Sequence, residues 1–232
     1  LTFPVLHPIA PDEQLIASGV YTSRMDQHEA PYIITHWSQH RLNDRIRYRS
    51  AEQWVRYGSI LVLQHIVMRS ALAPVQVEQT VIRVTTTDKQ VNETQFQFAD
   101  DHVAVTYHPH QSPPIHTRIA LPPGYVVSTT IASNIRTADI LGTVDLFTPA
   151  NRELQFGQIS KLSPYRAVKE ATVDVDGQLI RARQYLVTDD EYAIAYWIDA
   201  HGILIRQELT YPRQPDRLET TVLSDYQRAP QA

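Results

Sequence analysis

The stretch Tyr196–Leu209, YWIDAHGILIRQEL, reads as two short strands joined by a tight turn. Aromatic and β-branched residues fill both arms. Between them Asp199–Gly202 (DAHG) offers a carboxylate to cap its own turn and a glycine free to take positive φ. The same pattern recurs upstream, where Arg166–Val175 and Gln178–Thr188 flank Asp174–Gly177 (DVDG). With Tyr192–Asp199, Ile203–Tyr211 and Leu218–Leu223, the last third of the chain becomes a run of strands joined by short turns.

The first half has the same character. Gly19–Met25, Tyr32–Gln39, Ser59–Arg69, Val75–Thr86, Asn92–Ala99 and Val103–Tyr107 read as strands, with short links that favour antiparallel neighbours. In VQVEQTVIRV, from Val75, one face carries Val75, Val77, Gln79 and Val81, and the other Gln76, Glu78 and Thr80, as in a half-buried strand. Leu42–Trp54 is more polar: as a strand it turns Arg45, Arg47 and Arg49 to water and Ile46 and Tyr48 inward. Prolines 109, 113, 114, 122 and 123 cannot donate to a ladder, so Pro109–Gly124 reads as a connection or lid. Tyr125–Leu141 is the best helix segment, capped by Ser128, Thr129 or Thr130 and stopped by Gly142.

These readings predict a mainly β chain: one strongly curved antiparallel sheet of roughly ten or more strands, a half-barrel or open barrel with one helix packed across its open face. Residues 1–18 form an extended leader, 19–225 a single β domain, and 226–232 a tail.

Composition narrows the function. The chain has 232 residues, 43% of them hydrophobic, enough for a substantial core. With 21 basic against 25 acidic residues and no basic patch, nucleic acid is not an expected partner. No apolar run approaches the roughly 20 residues of a membrane-spanning helix. There is no cysteine, which excludes disulfides and thiolate chemistry. The opening LTFPVLHPIAPDEQ lacks a methionine, and the expectation is an exported, periplasmic or otherwise extracytoplasmic protein, with lipid anchoring before processing or truncation as an option.

IRARQYLVTDDEYAIAYWIDAHGILIRQEL resembles the C-terminal signature of bacterial envelope proteins of the DUF3108 type, which belong with the LolA/LolB-like half-barrels. The likeness rests on Arg183 and Tyr185, then Tyr196 and Trp197, Asp199 and Gly202, and Leu204, Arg206 and Glu208. It covers Gln178–Tyr211, while IALPPGYVVSTT, Ile119–Thr130, looks like the segment before that family's inserted helix. The resemblance implies an exported sheet protein that binds a lipid-like or other apolar molecule, and it carries no catalytic motif.

The chemical signals in the residues are sparse. His36 and His40, four apart in a strand, stand about 13 Å from each other, too far for one metal. His108 and His110, with His102 or His116, are closer in kind to a ligand set, but loop histidines beside prolines explain them, and no metal site is expected. Asp199 is explained by its turn, and Arg206 and Glu208 by a same-face ion pair. G-x-S-x-G, G-x-G-x-x-G, the Walker A loop and H-E-x-x-H are all missing. No catalytic residue and no cofactor are assigned.

What remains is aromatic: 12 tyrosines, 5 phenylalanines and 3 tryptophans. Tyr and Trp supply apolar area with a polar handle. Trp37, Trp54, Tyr57, Phe96, Phe98, Tyr107, Tyr192, Tyr196 and Trp197 are the residues expected to line a groove. The expectation is non-enzymatic binding of a lipid-like or glycolipid-like ligand in the sheet's concavity. The alternatives are an envelope interaction module without a small ligand, and a hydrolase whose His/Asp site assembles only in space.

Overall fold

The computed structural model describes residues 4–25, 30–55, 59–70, 73–85, 87–152, 155–188 and 191–229. Eight strands come first: β1 (Gln14–Met25), β2 (Ile33–Leu42), β3 (Arg45–Trp54), β4 (Ser59–Ser70), β5 (Ala73–Val84), β6 (Lys89–Phe98), β7 (His102–His108) and β8 (Ile115–Ala120). An intervening segment holds β9 (Val126–Val127), α1 (Ile131–Leu141), β10 (Val144–Arg152) and β11 (Gln155–Leu162). The chain ends with β12 (Arg166–Val175), β13 (Gln178–Thr188), β14 (Ala193–Asp199), β15 (Leu204–Tyr211) and β16 (Gln214–Arg228).

Consecutive strands pair antiparallel within β1–β8 and within β12–β16, and β16 pairs with β1. The first and last strands therefore meet inside one 13-stranded sheet whose edges are β12 and β8. The two edges do not pair with each other; the chain between them forms a separate three-stranded sheet, β11-β10-β9. This corrects the expected architecture. There are two sheets rather than one, and the large sheet is neither closed nor strongly curled, so it is no half-barrel or open barrel. A long sheet has to roll up, split or be covered; here a second layer covers it.

That layer accounts for most of the core. Phe147 and Phe156 of the small sheet, with Leu121 and Val127, pack on Ile66, Met68, Val77, Phe96, Val103 and Val105 of β4–β7. On the other flank, Ala132 and Ile135 of α1 pack on Tyr185, Tyr196, Ile198 and Leu204 of β13–β15. Ala138 of the helix joins Val126, Leu146 and Leu162, tying α1 to the small sheet. The middle strands of the same face, β1–β3, lie between these two regions, where Ala17 and Trp37 join a further core cluster with Val173, Val175, Ala182, Ile205 and Leu223.

Local sequence explains the boundaries. Thr130 caps α1, its hydroxyl accepting from the Ser133 N–H at 3.2 Å, and Gly142 ends it at φ 76. The helix starts six residues later than expected because Val126 and Val127, β-branched and apolar, pair in parallel with Leu146 and Phe147 of β10. Pro109–Gly124 is also corrected: it contains the edge strand β8, whose flanking proline pairs 113–114 and 122–123 leave Ile115–Ala120 free to pair with β7. The DVDG turn carries positive φ at both Asp176 and Gly177, as a tight hairpin requires.

Arg49 is the other correction. Its side chain is fully buried, not turned to water, because the segment before β1 crosses this face of the sheet. Glu13, whose side chain is equally buried, accepts from both guanidinium nitrogens of Arg49 at 2.8 Å and from Arg47 at 2.9 Å. The His7 carbonyl accepts from Arg49 Nε at 2.9 Å. Burial pushes the Glu13 carboxyl up, but its hydrogen bonds and charge contact with Arg49 outweigh this and hold it below the usual carboxylate range.

Candidate functional site

The strip of β1–β3 left between α1 and the small sheet is aromatic. Trp37 of β2 is 2% exposed and stacks between two tyrosines at nearly parallel angles, Tyr21 of β1 at 5.7 Å and Tyr48 of β3 at 6.2 Å between ring centroids. The registers Gly19↔Trp37 and Trp37↔Ser50 place small residues directly opposite the indole, so the tyrosines approach it diagonally. Burial pushes both phenols well above the usual tyrosine range, so Tyr21 and Tyr48 remain neutral.

A cavity of about 290 Å³ opens over this stack. Its apolar walls include Met68, Ile131, Ile203 and Leu204, and its polar wall is the start of α1, from Thr129 to Ser133. The first turn of α1 carries no acidic side chain, so no carboxylate of its own meets the partial positive charge of the helix start. Arg136 lines the same cavity and forms no ion pair among the described residues. Trp37 lines the cavity, and its buried indole N–H has no hydrogen-bond acceptor among the described residues. Three features that favour an acceptor or an anion thus surround one apolar floor; Glu52, which also lines the cavity, accepts from the Trp54 indole.

On the far side of Arg136 lies a second cavity of about 340 Å³, lined by Asp139, Glu170, Arg181 and Arg183. Its charges are largely paired: Arg183 donates to Glu170 at 3.1 Å and the Tyr185 hydroxyl to Asp139 at 3.2 Å. This leaves the aromatic cavity as the better ligand site.

The residues expected to line a groove are dispersed. Trp37 reaches the cavity. Phe96 and Phe98 instead pack edge-on against Phe147, and Tyr107 against Phe156, filling the core beneath the small sheet. Tyr196 packs edge-on against Tyr165 beneath α1. Trp197 lies under the Arg206 guanidinium, Trp54 donates to Glu52 at the end of β3, and Tyr192 precedes β14 half-buried. Tyr57 lies outside the described residues. Sequence reasoning did not single out Tyr21, Thr130, Arg136 or Ser133 as site residues. The alternation of GVYTSRM puts Tyr21 on a strand face, but only the sheet register sets it beside Trp37.

Asp199 is committed to its turn, accepting from the His201 N–H at 2.9 Å, the Ile203 N–H at 2.8 Å and the Tyr226 hydroxyl at 3.4 Å. Of the histidines expected in loops, His102 opens β7 and contacts Asp101, His116 lies in β8 and contacts Thr106, and His110 caps the Val91 N–H. Among the described residues these histidines do not converge on a common point.

No family model matches the chain, and no curated protein matches it. A solved structure described as a beta-barrel-like protein of domain of unknown function DUF1849, from Brucella abortus, aligns over 94% of this chain and 99% of its own, with a TM-score of 0.53 and 11% sequence identity. At that identity the likeness concerns the fold alone. No helix among the described residues is long and apolar enough to cross a membrane.

Proposed function

We propose that this protein is a non-enzymatic binding protein for a small amphipathic molecule, held in the cavity between β1–β3 and the start of α1. The observation that carries the reading is the buried N–H, without an acceptor, of Trp37, which lines a cavity floored by a Tyr–Trp–Tyr stack. An unpaired buried donor costs about 1–3 kcal/mol, and a ligand oxygen reaching it would recover that. A flat apolar body resting near the stack would gain burial at about 25 cal/mol per Å². An anionic or acceptor end would meet Arg136 and the start of α1.

The volume bears on ligand size. At about 290 Å³ the cavity lies at the small end of ligand sites, which run from roughly 300 to 1,000 Å³, and it suits a compact ring system better than a long acyl chain.

The alternatives find less support. Asp199, the turn carboxylate, offers no hydrolytic pair, because its oxygens already hold the turn and Tyr226. An interaction module working through a sheet edge would use β12 or β8, and β12 carries Arg166, Lys169 and Glu170 while β8 is a short strand carrying Arg118, features that discourage strand addition.

Native mass spectrometry of gently purified protein, followed by organic extraction of whatever stays bound, tests the reading. The expected result is a reproducible small-molecule adduct, or uptake of the aromatic sulfonate fluorophore 1-anilinonaphthalene-8-sulfonate by the clean protein. A protein that carries nothing and takes up no fluorophore contradicts it.

A further inference from the structure

On the opposite face of the sheet, two histidines and a glutamate far apart in sequence converge. His65 of β4 stands directly opposite Glu78 of β5, and its Nδ1 is 3.4 Å from Glu78 Oε2. His7, delivered by the segment before β1, brings Nε2 to the same oxygen. The two imidazoles lie 4.5 Å apart between ring centroids. One ligand atom from each of the three residues falls within 4.8 Å of the other two.

We propose that His7, His65 and Glu78 form a binding site for a divalent transition-metal ion of the zinc type, which fastens the segment before β1 to the sheet. Two imidazoles and a carboxylate are a donor set suited to such an ion, leaving a further position for water. Ligands about 2.0–2.1 Å from a tetrahedral ion stand roughly 3.3–3.4 Å from one another, which the His65–Glu78 separation matches, while His7, in closer contact with the same oxygen, would draw back to admit the ion. The surroundings are those of a held site. Gln76 donates to Glu78 Oε1 at 2.8 Å, so Oε2 faces the imidazoles, as an outer hydrogen bond orients a ligating carboxylate. Arg49, the nearby cation, is matched by Glu13 at 2.8 Å and leaves Glu78 uncommitted to an arginine.

A second observation points the same way. His65 is 5% exposed, and its Nε2 has no hydrogen-bond partner among the described residues. That nitrogen is unused by the His–Glu–His contact, and a half-turn of the ring would bring it towards Glu78, where it could ligate an ion. The His7 side chain is about half exposed, so an ion can enter from solvent without opening the sheet.

The test is calorimetric titration of the chelator-treated full chain with zinc chloride, repeated with cobalt(II) while the visible spectrum is followed. One equivalent is expected to bind, with cobalt bands of a low-coordinate nitrogen–oxygen site. Glu78→Gln, which keeps the side-chain shape, and His7→Ala, on the exposed side, should each weaken zinc at least about tenfold. His116→Ala should leave the affinity unchanged. The wild-type ion should also slow proteolysis before Gln14, and this protection should vanish in Glu78→Gln. If the wild type takes up no equivalent, or the two ligand variants bind as tightly as wild type, the site is overturned. Because this face lies away from the aromatic cavity, fluorophore uptake there succeeds or fails separately.

Discussion

Trp37 stands directly opposite Gly19 on the neighbouring strand, and its indole covers the bare backbone there. A Cβ added to Gly19 would fall 2.7 Å from Leu223 Cδ1 and 3.3 Å from both Trp37 Cζ2 and the Ser224 carbonyl. Leu223 is 1% exposed and Trp37 2%, so neither has room to retreat. The glycine lets the indole lie flat between Tyr21 and Tyr48.

Gly19→Ala should therefore destabilise the protein by about 1–3 kcal/mol, as overpacking does, and tilt the indole out of its stack. Urea unfolding gives the first effect as a lowered midpoint at unchanged slope. A midpoint equal to wild type would show that the indole does not press on this strand.

Trp37→Phe removes an N–H that has no partner and keeps an aromatic ring. Its stability should fall by only about 1–2 kcal/mol, since lost packing is partly offset by removing an unpaired buried donor. Uptake of the aromatic sulfonate should weaken by several-fold, and Arg136→Ala should weaken it without changing the unfolding midpoint. Fluorescence titration beside urea curves separates the two effects.

The Arg49–Glu13 pair has no exposed side-chain surface. Removing Arg49 leaves the buried Glu13 with Arg47 as its sole cationic partner among the described residues, so Arg49→Ala should cost up to about 3–5 kcal/mol. Arg49→Met combined with Glu13→Leu should recover much of this. A double variant as unstable as the single one would argue against an electrostatic origin.

The same carboxylate sets an acid limit. Glu13 is held below its ordinary value of 4.5, so the stability it contributes is complete above 4.5 and lost as pH falls through the lower folded-state value. The arginines paired with it are Arg49 and Arg47. Between pH 5 and pH 3 the wild-type urea midpoint should fall more steeply than that of Glu13→Gln. Parallel curves would mean that the pair does not shift the titration.

Much of the strand pattern was legible in the sequence. Arg166–Val175 and Gln178–Thr188 are strands with the bounds their alternation and turn residues predict, and Gly142 stops the helix. What was not legible depends on partners remote in sequence. Arg49 sits on a polar alternation that points to water, and only Glu13, 36 residues earlier, makes its burial tolerable. His7 and Glu78 are 71 residues apart and meet only because the segment before β1 crosses β4 and β5. Whether a meander closes depends on which edges meet, and the sequence of β8 and β12 does not encode that. The aromatic inventory had the same limit: a phenylalanine such as Phe96 reads alike whether Phe147 or a ligand covers it.

A ligand in the aromatic cavity is expected to engage the Trp37 N–H. The chain has three tryptophans, so a nitrogen-15 correlation spectrum carries three indole N–H signals. Titration with the aromatic sulfonate should shift the signal that disappears in Trp37→Phe and leave those of Trp54 and Trp197 in place. If binding saturates while the Trp37 signal stays fixed, or if Trp197 moves instead, the ligand sits elsewhere and the account is wrong.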